Sequence, residues 1–147
     1  YYVCEFVNAD FTYRELINDP SIEDRDAILR DFTRFTFQLH ENGILFKDHS
    51  PGNTLIKRTE QGTDFYLVDL NRMEFKTLSF EERILNFTKL TPKKEMVEIM
   101  SDEYAQLIGE PYEKVVALMW GETSAFQERY WRKVRMKEKL FFWRNKK

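Results

Sequence analysis

LHENGILFKDHSPGNTLIKRTEQGTDFYLVD, residues Leu39–Asp69, is the stretch on which the fold turns. Asp48 and Asn53 stand at the two ends of DHSPGN, and a second carboxylate, Asp69, closes an apolar run. Between them lie two short β-patterned segments, Thr54–Lys57 and Phe65–Val68, joined by a polar turn containing Gly62. An antiparallel return of the second segment brings residue 69 back beside residue 53. The order helix, loop, hairpin, acid therefore gathers Asp48, Asn53 and Asp69 at one mouth. One carboxylate there can accept a hydroxyl proton. An amide oxygen and a second carboxylate are hard ligands that suit Mg²⁺.

Upstream, Ile28, Phe32, Phe35 and Leu39 recur at helical spacing, which predicts a long helix from about Ile22 to Glu41 with one buried face. Ser21 is the expected N-cap, and Asn42-Gly43 the stop. Ile44–Phe46 then reads as a short strand leading into the loop, whose turn Pro51-Gly52 carries Asn53 back toward Asp48. His40, at the helix end, and His49, inside the loop, are both expected to be structural, because Asp48 already offers a base. A carboxylate after a strand as apolar as Phe65–Val68 needs a partner. A metal is one such partner for Asp69 and Arg72 is another.

The pattern resembles the protein-kinase catalytic loop H-R-D-L-x-x-x-N followed by the D-F-G aspartate. Asp48 and Asn53 keep the four-residue gap, while Phe46 and Lys47 stand at the His and Arg positions. Leu70 and Asn71 follow the second aspartate in place of Phe and Gly, and Asn71 is expected to tolerate the positive φ that a bend there requires. Ser50 stands where protein kinases carry a lysine, and its hydroxyl cannot replace that charge. The wording DHSPGNTL is closer to bacterial small-molecule kinases, such as aminoglycoside phosphotransferases and lipopolysaccharide kinases. Together with RILNFTKLTPKKE at Arg83–Glu95 and a basic tail, the chain most resembles the lipopolysaccharide (Kdo/heptose) kinase family.

That resemblance implies an α+β, mostly helical kinase-like C-terminal lobe over residues 1–147, with a small β-hairpin at the active site and the N-lobe absent. Residues 1–8 become the hinge strand, with Cys4 as gatekeeper and the backbone of Glu5 and Val7 facing adenine. Without the resemblance the same residues are an ordinary buried strand. Residues 44–72 hold the catalytic loop, hairpin and metal aspartate, and residues 79–147 form a helical subdomain with a basic tail. Asp48 becomes the catalytic base, and Asn53 and Asp69 the Mg²⁺ ligands. The cofactors are ATP and Mg²⁺, and the acceptor is a sugar or glycolipid hydroxyl of the lipopolysaccharide inner core. A cytoplasmic location follows, peripheral at the inner face of the inner membrane. The chain opens at Tyr1 and carries neither a Gly-rich phosphate loop nor a strand lysine, so we read it as part of a longer protein. The alternative from another class is a non-catalytic kinase-fold remnant that binds a partner or an anionic surface.

Composition bounds the remaining choices. One domain is the prior for 147 residues, and 42% hydrophobic content supports a sizeable core. A single cysteine excludes an internal disulfide. No apolar run approaches the ~18 residues of a spanning helix. The net charge of −2 hides an asymmetry. Residues 127–147 carry nine Lys or Arg against Glu128 and Glu138, a balance of +7; the other 126 residues carry 14 basic and 23 acidic side chains, a balance of −9. Interleaved aromatics make the tail suited to an anionic membrane surface or glycolipid. A solvated, partly packed terminal helix has the same composition. RNA binding is the least favoured reading, and no nucleic-acid partner is expected.

Past Arg72, no A-P-E motif or long Ser/Thr loop occurs. Helices are expected from Ser79, from Pro92, over Asp102–Ile108 and from Pro111 onward, with Gly121 as a candidate interruption of the last.

Overall fold

The computed structural model describes the backbone of residues 6–144 and the side chains of residues 6–141. It is an α+β chain, mostly helical, with two small antiparallel sheets. In chain order the elements are β1 (Phe11–Thr12), α1 (Tyr13–Asn18), α2 (Arg25–Glu41), β2 (Ile44–Phe46), β3 (Thr54–Thr59) and β4 (Gly62–Leu67). A 3₁₀ turn (Leu70–Arg72) follows, then β5 (Met73–Phe75), α3 (Phe80–Leu85), α4 (Lys94–Ile108) and α5 (Tyr112–Arg144).

The α2 helix is the spine. Ile28, Leu29 and Phe32 are buried along it, and its polar residues Thr33, Thr36 and His40 are buried as well. Phe32 lies at the centre, with its ring centroid 4.6 Å from Tyr13, 5.2 Å from His49 and 5.4 Å from Phe65. One residue of α2 thus ties together α1, the loop after β2, and the hairpin. On its other side α2 packs against α4, where Arg30 and Arg34 reach the buried carboxylate of Glu103 at 3.0 and 2.7 Å.

Two sheets frame the loop. In the first, β3 lies between β1 and β4, with Thr54 opposite Leu67 and Thr59 opposite Gly62. The hairpin is longer than its sequence pattern predicts and turns at Glu60-Gln61. In the second, β2 pairs with β5, Ile44 opposite Phe75 and Phe46 opposite Met73. The two-strand sheet starts at Gly43, whose φ of +68° ends α2. A Cβ there would lie 2.8 Å from the Lys76 carbonyl oxygen, and Gly43 accepts the Lys76 N–H.

Several expectations shift. The proposed hinge strand over residues 1–8 falls partly on residues 1–5, including Cys4 and Glu5, which lie outside the described residues. Residues 6–9 are irregular, and the strand that does form, β1, comes after the Asn8-Ala9-Asp10 break because it pairs with β3. Ser21 does not cap α2. Its N–H and hydroxyl both donate to Asp19 Oδ1 in a local turn that competes with helix, and α2 begins later, after Asp24. The two helices expected around residues 92–108 are one, α4. Ser101, just before the start expected for the second, is buried beside Met119, and no Pro or Gly breaks the run. Gly121 does not interrupt α5: it lies on an exposed face, where its cost of about 1 kcal/mol is carried by the flanking turns. The N-terminus of α3 is as expected, with Ser79 and Glu82 forming a reciprocal cap.

Candidate functional site

The segment Lys47–Asn53 is held from several sides. At its start, Lys47 N–H donates to the Arg72 carbonyl at 3.0 Å, extending the β2–β5 pairing into the loop. Beneath it, the His49 ring is fully buried, stacked on Phe32 and 3.3 Å from the Thr36 hydroxyl. At the far turn, Arg14 N–H donates to the Pro51 carbonyl at 2.9 Å. Asn53 N–H then donates back to the Ser50 carbonyl at 3.0 Å.

Asn53 closes the loop on itself and onto the hairpin. Its side-chain Nδ2 donates to the backbone carbonyl of Asp48 at 2.9 Å, and its own carbonyl accepts the Val68 N–H at 3.0 Å. These two bonds tie the Asp48 backbone, Asn53 and the residue before Asp69 into one unit. With Nδ2 so used, Oδ1 is the atom of the Asn53 amide left to act as an acceptor.

Asp69 is an exposed residue in the left-handed conformation, φ 60° and ψ 61°. Only a small fraction of non-glycine residues adopt it, and it costs of order 1–3 kcal/mol, so the surroundings must impose it. The expected bend is therefore real but falls on Asp69 itself and not on Asn71. The Asn71 side chain, carried by the 3₁₀ turn, donates to Asp69 Oδ1 at 2.7 Å. Arg72 likewise does not pair with Asp69. Its Nη1 meets Asp48 Oδ1 at 2.8 Å, because the turn directs Arg72 back over the loop while β5 runs alongside β2.

His49 and His40 support this core from its buried side. Burial holds the His49 imidazole down to about 3, so the ring is neutral at ordinary pH and supports the loop from below. Burial likewise lowers His40 to about 4. His40 Nδ1 lies 2.7 Å from the Tyr104 hydroxyl, and Nε2 lies 3.0 Å from Asn86 Oδ1. Asn86 Nδ2 in turn donates to the Phe46 carbonyl at 2.9 Å, so this relay fixes the strand that feeds the loop. Lys47 is paired with Glu74 on β5. Val7 is half-buried, and its carbonyl accepts the Ala9 N–H at 3.1 Å. Glu5 lies outside the described residues.

Among the described residues, no group of three or more His, Cys, Asp or Glu side chains could hold a metal unaided. Asn53 Oδ1 and the Asp69 carboxylate supply two hard oxygens, a donor set that fits Mg²⁺ when phosphate oxygens and water complete the shell. Sequence reasoning missed β5, Asn86 and the Arg72–Asp48 pair. For β5, the alternation Met73-Glu74-Phe75 just past Arg72 was the available signal. Asn86 carried none, because its role depends on partners 40 and 46 residues away. Compared with known proteins, the chain matches no family model and no curated protein in sequence.

Proposed function

We propose that this chain is the catalytic lobe of a kinase-like phosphotransferase that uses ATP and Mg²⁺ to phosphorylate a sugar hydroxyl, of the kind carried by the lipopolysaccharide inner core. The observation that carries this is the double use of Asn53, which ties the Asp48 loop to the strand leading into Asp69. A base and a hard-oxygen pair joined in this way suit phosphoryl transfer, where positioning and charge neutralisation do most of the work. The β2–β5 pairing supports the same reading, because it anchors the segment after the second carboxylate against the strand before the first.

In this mechanism Asp48 accepts the acceptor's hydroxyl proton as the O–H bond breaks. The oxygen forms a bond to the γ-phosphorus, and the bond from that phosphorus to the bridging β–γ oxygen breaks, its electron pair leaving with ADP. Asp48 then gives its proton to solvent. Asn53 and Asp69 would hold Mg²⁺, which neutralises phosphate charge when bound. His49 keeps the loop in place from the buried side and moves no proton.

The distal half of α5 fits a peripheral contact with an anionic membrane or glycolipid at the cytoplasmic face, as its positive charge and exposed Tyr130, Trp131 and Phe141 suggest. No helix among the described residues is long and apolar enough to cross a membrane. The Arg72–Asp48 ion pair also suits a second reading, a non-catalytic remnant in which the carboxylate serves only structure.

Kinetics on the natural full-length protein, with Mg²⁺·ATP and lipopolysaccharide inner-core acceptors, separate the two. Asp48→Ala should lower turnover by about 10²–10⁴-fold, the range of a general base, and leave Mg²⁺·ATP binding unchanged. Asp69→Ala should weaken both in a chain that still folds. Unchanged turnover in either variant overturns the assignment, and a wild-type protein without Mg²⁺-dependent transfer favours the remnant.

A further inference from the structure

A cavity of about 330 Å³ lies between β2, the 3₁₀ turn and α3, and Arg72, the ion-pair partner of Asp48, is part of its wall. Three cations line it: Lys47, Arg72 and Lys89. Leu45 and Leu85 give it an apolar side. One carboxylate, Glu82, also faces it, but both of its oxygens are engaged, one by Lys76 and the other by the Ser79 N–H at 3.0 Å. Lys47 is neutralised by Glu74. Lys89 has no carboxylate partner among the described residues; its Nζ reaches only the Lys47 carbonyl, at 3.3 Å. Arg72 spends one nitrogen on Asp48 and presents the rest of its fork to solvent, its side chain 61% exposed. The cavity therefore keeps one uncompensated positive charge, that of Lys89, beside the free donors of the Arg72 fork, and a concave cationic wall concentrates anions.

We propose that this cavity binds an oxyanion, a phosphate or carboxylate group, and that Arg72 is shared between that anion and Asp48. A guanidinium binds such groups through two parallel N–H donors. Leaving Asp48 for a second oxyanion keeps Arg72 paired and frees Asp48 Oδ1 to accept a hydroxyl proton. The acceptor is then an alcohol that carries its own anionic group near the reacting hydroxyl, and the base is released only when that group arrives. This last step rests on the phosphotransferase reading, whereas anion binding by itself does not.

Titration of the ¹⁵N-labelled, Asp-carboxyl-¹³C-labelled full-length protein with inorganic phosphate tests both parts. Saturable shifts are expected at the Arg72 Nε–H, the Lys89 ammonium and the Asp48 carboxyl carbon. Lys89→Ala and Arg72→Ala should each weaken phosphate binding at least tenfold, and Lys94→Gln, a remote lysine on α4, should not. Acetate forms the second arm: tighter saturation by acetate assigns a carboxylate, and tighter saturation by phosphate assigns a phosphate. Equal weakening or no weakening in all three variants overturns the site, and saturation that leaves the Asp48 carbon unmoved overturns the sharing of Arg72. If Lys89-dependent phosphate binding occurs in a protein that transfers no phosphoryl group, the cavity stands and the kinase reading falls. The opposite pattern removes the cavity and keeps the kinase.

Discussion

The loop at residues 47–53 and the distal half of α5 are both polar stretches rich in charge, and they are built in opposite ways. Loop residues are fixed by bonds to the 3₁₀ turn, α2, α1 and the residue that follows β4, and one of them, His49, is fully buried. From Glu128 to Leu140 every residue of α5 but Val134 is exposed, and none makes an ion pair among the described residues. The proximal half of the same helix is different, with Val115, Met119 and Thr123 buried. Placing a base within hydrogen-bond reach of a substrate demands many partners. Attraction to a charged surface demands only charge and reach, and the distal helix supplies those without packing.

The contrast is sharpest at Phe32, which supports the loop from α2. Phe32→Ala removes a fully buried ring that touches Tyr13, His49 and Phe65. It should cost about 3–5 kcal/mol, the range for such truncations in well-packed cores. Urea unfolding measures this, and a loss under about 1 kcal/mol would mean that α2 does not anchor the loop.

Acid should find the same support. Both buried imidazoles have pKa values depressed in the folded chain, His40 to about 4 and His49 to about 3, against 6.5 when unfolded. Above pH 6.5 both states are neutral and stability is indifferent to them. Below it the unfolded chain takes up protons that the folded chain refuses, so stability falls as pH falls toward 4. At pH 5.5 the two together should cost about 3 kcal/mol, from ~1.4 kcal/mol per pKa unit for each. Denaturant midpoints at pH 7.5, 6.5 and 5.5 check the slope, and His49→Gln should roughly halve it. A flat profile between 6.5 and 5.5 would show that the rings reach water.

Much of this architecture was legible in advance, for physical reasons that differ from place to place. The strand Ile44–Phe46 follows from a short apolar run, the hairpin from two β-patterned segments about a polar turn with Gly62, and the start of α3 at Ser79 from a local pattern that nothing else contests. The gathering of Asp48, Asn53 and the residue before Asp69 was legible because a hairpin return is geometry, independent of what packs around it. Ser21 misled because a cap-forming side chain takes whichever partner the fold offers, here Asp19. Arg72, one of the two partners considered for Asp69, pairs with Asp48 instead for a related reason. Asp69 is nearer in sequence, but the 3₁₀ turn and β5 decide which way the side chain leaves, and they send it to Asp48.

The smallest expected effect on stability belongs to the distal helix, and it separates that region from the loop most cleanly. Met136 and Leu140 are 57% and 68% exposed. Met136→Ala and Leu140→Ala should each change unfolding free energy by no more than about 0.5 kcal/mol, as surface substitutions do. The same segment should nonetheless govern attachment to vesicles. Each Lys or Arg near an anionic surface contributes about 1 kcal/mol. Replacing Arg132, Lys133, Arg135 and Lys137 with Gln should therefore abolish sedimentation with anionic phospholipid vesicles at low salt. Wild-type binding should fall steeply as salt rises to physiological levels, where exposed charges are screened over ~8 Å. Leu140→Ala should weaken binding at every salt concentration, because the loss is apolar insertion and salt does not screen it. Equal sedimentation with neutral and anionic vesicles, or with neither, would make the distal half of α5 a plain solvated helix. A stability loss of 2 kcal/mol or more at Leu140 would show instead that it packs as the loop does, and the comparison between the two regions would fail.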